Sequence, residues 1–221
     1  MSKSIKNAIV IGATGLVGKS LLKQLNDSSE FAKISAIVRQ ENIEIKKLKK
    51  VHQIVLDDFY LLNDEDLNGF THAFSCLGTT IKKAGSRENF YAIDYEINAH
   101  FADLLQETEI HYLLVSAIGA DSASKIFYNR TKGELEKYVQ SLNLYKTSIF
   151  QPSLLIGERS EVRFLEDLSQ KVFTRISPFI PITFKYKPVT AEQVAHTMVL
   201  SALNQTEKFH IYDNLQIHKI K

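Results

Sequence analysis

Two rhythms of apolar residues alternate along the chain. Short β-branched runs are separated by longer stretches in which apolar residues recur every three to four positions. The first run, Ala8-Ile9-Val10-Ile11, ends in glycines at 12, 15 and 18 and leads into an amphipathic pattern over 16–25. Further strand patterns fall at 34–38, 51–56, from 71 into a loop at 77–80, and at 111–115, 145–150 and 208–212. Helix patterns occupy 87–106, 128–142 and 194–203. On 87–106 the apolar stripe is Phe90, Ile93, Ile97, Phe101, Leu104 and Leu105. This alternation predicts an α/β fold with a doubly wound, mostly parallel sheet of Rossmann type.

From Ile156 the pattern loosens. Pro178, Pro181 and Pro188 surround an apolar stretch at 179–184, read as a cover over a substrate pocket. No repeat or linker divides the chain, so 1–221 is expected to be one dinucleotide-binding domain, with 156–221 a less regular substrate-side region.

The glycine turn carries the first chemistry. A strand, a tight turn and a helix put the helix's first N–H groups in reach of a phosphate. Gly12 permits the turn, Gly15 lets a pyrophosphate approach the backbone, and Gly18 lets helix and strand pack closely. A ligand-free βα turn has the same form, but its N-terminal position favours a dinucleotide site. Arg39 ends the second strand, about 20 positions past the glycines, where an NAD site usually places an acid for the ribose. A guanidinium there suits a 2′-phosphate, so NADP(H) is preferred and NAD(H) stays possible through Glu41. At the end of the third strand Asp57 and Asp58 can serve the adenine edge or cap a turn.

Composition changes the picture little. The 221 residues are 44% hydrophobic and 24% charged with a net charge of +2, which favours neither nucleic acid nor a membrane surface as partner. The run Lys46-Lys47-Leu48-Lys49-Lys50 has no interleaved aromatic residue and reads as a solvated face. The lone Cys76 reads as a small buried hydrophobe, and seven scattered histidines show no metal-ligand spacing. Met1 to Asn7 does not read as a signal peptide and no run spans a bilayer, so a cytoplasmic protein without membrane attachment is expected.

Tyr128 and Lys132 are four apart and share a helix face. A phenol ionises near pH 10 in water, and a neighbouring ammonium brings that value down toward useful proton transfer. Ser116, at the end of the fifth strand, is placed to hydrogen-bond the oxygen that Tyr128 protonates. Each residue alone has an ordinary explanation, as a chance pair or a turn cap. The order of glycine turn, serine and Tyr-x-x-x-Lys is harder to dismiss.

At these residues the chain resembles the short-chain dehydrogenase/reductase superfamily. It is most similar to the atypical branch that includes the human Tat-interacting-protein-like oxidoreductase and its small bacterial relatives. The likeness rests on Gly-Ala-Thr-Gly-Leu-Val-Gly at 12–18, Cys-Leu-Gly-Thr-Thr at 76–80, Val-Ser-Ala-Ile-Gly-Ala at 115–120 and Tyr-Asn-Arg-Thr-Lys-Gly-Glu at 128–134. It implies a Rossmann fold, NADP(H) and a Ser116–Tyr128–Lys132 catalytic set. It further implies that Thr14, Gly15, Leu16 and Val17 line the pyrophosphate, and that Arg39 and Gln40 hold the adenosine phosphate. Asp58 is assigned to the cofactor site, with Leu77 and Gly78 beside the ribose and the cofactor's centre. Lys132 would hold the nicotinamide ribose, Pro152 to Leu155 would flank the nicotinamide, and Arg163 would reach the cofactor. The chain departs from the branch at Ser116-Ala117, where a serine pair is usual, and at Gln151-Pro152-Ser153, where Arg-Pro-Gly is usual.

The reading is an NADP(H)-dependent oxidoreductase acting on a small carbonyl or alcohol, with a homodimer possible. Two alternatives stay open: a non-catalytic NADP(H)-sensing regulator that contacts a partner protein, and a nucleotide-sugar epimerase or dehydratase. The short stretch after Ile156 leaves little room for a nucleotide-sugar domain.

Overall fold

A computed structural model describes residues 5–156 and 184–220. The first strand, β1 (Lys6–Ile11), runs into α1 (Leu16–Asp27) and then β2 (Phe31–Val38), α2 (Ile43–Lys46) and β3 (Val51–Val55). The second half resumes with β4 (His72–Ser75), α3 (Ile81–Ala84) and α4 (Arg87–Tyr91). A π turn (Ala92–Glu96) joins α4 to α5 (Ile97–Asp103), and β5 (His111–Val115), α6 (Phe127–Ser141) and β6 (Lys146–Gln151) follow. A short pair, β7 (Leu155–Ile156) and β8 (Val189–Thr190), precedes α7 (Ala191–Asn204), β9 (Phe209–Asp213) and α8 (Asn214–Lys219).

The main sheet has the order β3-β2-β1-β4-β5-β6-β9, and every pairing in it is parallel. Because strands buried on both faces need apolar residues at every position, β1 splits its side chains evenly. Ala8 and Val10 join a core with α1, α7 and Ile217 of α8, while Ile9 and Ile11 join one with α5 and α6. The chain reverses its winding between β1 and β4, which opens a crevice beyond the carboxyl ends of those strands. From Val189 on, α7 packs into the first core through Val194, Ala195 and Met198, and β9 closes the sheet beside β6. The proline-flanked stretch at 179–184 lies almost wholly outside the described residues, of which Phe184 is exposed.

The helix expected over 87–106 is interrupted. The π turn shifts the buried stripe, so Phe90, Asp94, Asn98, Phe101 and Leu105 face inward. Ile93 and Ile97, expected in the core, instead line the crevice beyond the carboxyl ends of the strands. Such single π turns recur at functional sites.

At the opposite pole, His72 and His111 start neighbouring strands with ring centroids 5.6 Å apart. His72 Nε2 donates to the Ala202 carbonyl, and His111 Nε2 bonds Ser148 Oγ. Burial holds both neutral, pushing His72 down to about 4 and His111 to about 3. In the unfolded chain both titrate near 6.5. Between those values the unfolded chain takes up protons that the folded one refuses. The stability of the neutral state is therefore present above pH 6.5 and is lost as pH falls to about 4 for His72 and about 3 for His111. The unfolding free energy from urea denaturation is expected to fall steeply from pH 6.5 to 4, by at most about 1.4 kcal/mol per pH unit for each histidine. The His111→Gln chain should show a shallower fall, and an unchanged slope would contradict the assignment.

Candidate active site

Gly12 is in the left-handed region, φ 71°, and a Cβ on it would run into the backbone of Cys76 and Leu77. The turn therefore packs directly on the end of β4, and Gly15 N–H donates to the Gly12 carbonyl at 3.0 Å. Gly15 is the N-cap of α1 and supplies no side-chain cap, and no acid stands in the first turn. The first N–H groups of α1 thus lack intrahelical acceptors at a positive helix end that suits an anion.

Above this turn lies a cleft of ≈ 960 Å³. Gly12, Thr14, Gly15 and Leu16 line it from the turn, Arg39 and Gln40 from the end of β2, and Leu77 and Gly78 from the end of β4. Val17 and Gly18 are buried below it, and the Val17 side chain belongs to the core. A role for Val17 toward a phosphate is thereby limited to its backbone, because its side chain fills the α1–sheet contact. Asp58 lines the cleft, but its Oδ1 accepts from Tyr60 N–H at 2.9 Å as a helix cap. Asp57 likewise accepts from Asp58 N–H at 3.0 Å. Glu41 is engaged by Lys46, Nζ to Oε2 2.5 Å, within an exposed pair.

A second cavity of ≈ 360 Å³ shares the wall 76–79 with this cleft. Ser116, Tyr128 and Lys132 all line it, together with Pro152 and Leu155. Val115, Ala117, Ile118 and Leu154 make much of the remaining wall apolar. Ser116 is set at the end of β5, where its N–H donates to the Phe150 carbonyl at 2.8 Å. Tyr128 enters from the first turn of α6, beside Phe90 with ring centroids 5.5 Å apart. Arg163 lies outside the described residues.

Two acids escaped the sequence reading. Asp94, fully buried on the π turn, meets Lys132 with Oδ1 to Nζ at 2.7 Å, and its Oδ2 accepts from Thr79 N–H at 2.7 Å. Gly78 makes room for this pair, since a Cβ there would stand 3.0 Å from Asp94 Oδ1 and 3.3 Å from Lys132 Nζ. Glu136 is hydrogen-bonded by Ser116 Oγ and by Gln151 Nε2. Asp94 sits four residues after Phe90, a polar position on an apolar stripe; Glu136 follows Lys132 by four on the same helix face. The spacings alone show neither acid buried, since both positions also suit a solvated helix face. Cys76 is buried in the first core, and no metal-binding cluster exists among the described residues.

The sheet order and the glycine turn define a Rossmann-type fold, with a cleft and an adjoining cavity beyond the carboxyl ends of its strands. A family model described as "Semialdehyde dehydrogenase, NAD binding domain" matches residues 7–94. Protein FMP52-1, mitochondrial, of Scheffersomyces stipitis is 33% identical over 205 residues, covering 91% of this chain and 90% of the relative. Protein HTATIP2 of Rattus norvegicus is 34% identical over 172 residues, covering 76% of this chain and 70% of the relative. The chain belongs to the family of FMP52 and HTATIP2 proteins. Among solved structures, an oxidoreductase of the short-chain dehydrogenase/reductase family from Burkholderia thailandensis superposes with TM-score 0.67 at 12% identity, covering 96% of this chain and 93% of that one. That likeness is one of fold.

The relatives correct one expectation. FMP52 proteins of Scheffersomyces stipitis, Debaryomyces hansenii and Meyerozyma guilliermondii are named mitochondrial, which points away from the cytoplasm. No helix among the described residues is long and apolar enough to cross a membrane.

Proposed function

We propose that the chain is an NADP(H)-dependent oxidoreductase acting on a small, largely apolar carbonyl or alcohol compound. The observation that carries this reading is the convergence of Ser116, Tyr128 and Lys132 on one cavity that adjoins the glycine-turn cleft. The residues fit a dinucleotide: a helix N-terminus without a side-chain cap for the pyrophosphate, Arg39 for an adenosine phosphate, and Leu77 and Gly78 along the path between the cavities. A bound nicotinamide supplies or accepts the hydride.

Tyr128 gives a proton to the substrate oxygen in reduction and takes it back in oxidation. Ser116 orients that oxygen by a hydrogen bond. Lys132, anchored by Asp94, supplies the local positive charge that favours the phenolate. Glu41 is occupied by Lys46, which supports Arg39 rather than an acid as the residue that meets the adenosine ribose, and with it NADP(H). A regulator that only senses dinucleotide would need the glycine turn, not three polar residues converging on an apolar cavity.

The reading is tested by following NADPH absorbance with a panel of neutral aldehydes and ketones, and NADP⁺ with the matching alcohols. Turnover of at least one apolar member is expected. If none changes the absorbance while NADPH binds, the oxidoreductase reading is wrong and the sensing alternative takes its place.

A further inference from the structure

Behind Ser116 lies a half-buried polar cluster to which the proposed reaction assigns no part. Ser116 Oγ is hydrogen-bonded to Glu136 Oε1, and Gln151 Nε2 donates to both carboxyl oxygens, at 3.1 and 2.9 Å. Glu136 follows Lys132 by one helical turn and Tyr128 by two on α6, so the three occupy one stripe. Tyr128, Lys132 and Ser116 line the cavity; Glu136 and Gln151 do not. Glu136 touches the cavity through Ser116.

A serine hydroxyl has one proton to give. While Glu136 is ionised, its oxygen accepts that proton, and Ser116 offers the cavity lone pairs. Once Glu136 is protonated, its own O–H donates to Ser116 Oγ, and the serine proton turns toward the cavity. We propose that Glu136 is a positioning residue that decides whether Ser116 presents a hydrogen-bond donor or an acceptor to the substrate oxygen. The donor state stabilises the negative charge that grows on the substrate oxygen during hydride transfer, and it does so in both directions because reduction and oxidation share one transition state. The switch moves one proton on or off Glu136 and forms no bond to substrate. It rests on the reading of Ser116 as the residue that meets the substrate.

The surroundings suit such a switch. Burial raises the Glu136 pKa above the ordinary glutamate value, against hydrogen bonds from Ser116 and Gln151 and the charge of Lys132. Among the described residues, the charge facing it is Lys132 on its own helix, which Asp94 of the π turn pairs and partly offsets. Ser116, after β5, and Gln151, on β6, carry no charge; their hydrogen bonds favour the carboxylate but do not outweigh burial.

Infrared titration of the full chain tests this without any substrate. A carboxylic-acid C=O band, assigned by its loss in Glu136→Gln, is expected to titrate above the ordinary glutamate value. It should move higher still in Ser116→Ala, which removes a hydrogen bond that favours the carboxylate. A band titrating at the ordinary value and unmoved in Ser116→Ala would overturn the proposal. The kinetic arm uses NADPH with benzaldehyde and NADP⁺ with benzyl alcohol. Glu136→Gln, whose amide always donates to Ser116, should hold kcat in both directions at the value the unmodified chain reaches with Glu136 protonated, and lose the part of the pH dependence that Glu136 causes. Glu136→Leu should lose kcat in both directions with NADPH affinity unchanged. Equal losses for Gln and Leu in both directions would mean a merely structural carboxylate and would also overturn it. If the unmodified chain turns over neither compound, that counts against the oxidoreductase reading alone, and the infrared result decides the role of Glu136.

Discussion

Tyr128→Phe is expected to reduce kcat for carbonyl reduction by roughly 10²- to 10⁴-fold, the range that positioned proton transfer contributes. The substitution removes one oxygen from a ring that packs beside Phe90 at the start of α6. Packing area is almost unchanged, so the folded chain should survive and NADPH should bind as before. The loss should therefore fall on kcat, with KM for the carbonyl changed much less. Equal kcat in the two chains would remove Tyr128 from the chemistry and leave the cavity a binding site. A proportionate rise in KM with kcat intact would make the phenol a substrate contact.

The second large effect concerns Asp94. Its carboxylate is fully buried and pairs with a Lys132 side chain that is 4% exposed. Breaking a buried pair by deleting one partner costs about 3–5 kcal/mol, because the remaining charge loses its compensation. Asp94→Ala also strips the Thr79 N–H of its acceptor. Urea unfolding of Asp94→Ala should show a loss of that order. The double variant Asp94→Ala/Lys132→Met should recover much of it, since replacing both charges with apolar groups is often close to neutral. A single-variant loss below about 1 kcal/mol would show that the pair contributes little to the fold, contrary to the usual behaviour of buried ion pairs.

The sheet was legible in the sequence because parallel strands buried on both faces leave unbroken apolar runs. Residues 8–11 and 111–115 carry that mark plainly. The glycine turn was legible because Gly12 must adopt a conformation and an approach to Cys76 that a side chain forbids. Spacing on a helix and position at a strand end likewise pointed to Ser116, Tyr128 and Lys132, and the fold brings all three to one cavity. What stayed hidden depended on departures from regular period. The π turn moves Asp94 and Asn98 into positions that a 3.6-residue period assigns to Ile93 and Ile97. Helical wheels built on one uninterrupted helix cannot show this. Glu136 was hidden differently: a glutamate on a helix reads as solvated until the end of β5 and β6 place Ser116 and Gln151 against it. Asp58, assigned to the cofactor site, lines the cleft while its Oδ1 also accepts from the Tyr60 N–H.

The central claim is that the glycine-turn cleft holds a nicotinamide dinucleotide with its adenosine phosphate on Arg39. Calorimetric titration of the chain and of Arg39→Ala with NADPH and with NADH tests it most directly. The account predicts tighter binding of NADPH than of NADH, by about tenfold or more, as a charge-assisted contact to a phosphate supplies. Arg39→Ala should abolish that preference while leaving NADH affinity nearly unchanged. Binding of neither dinucleotide, or a preference for NADPH that survives Arg39→Ala, would contradict it.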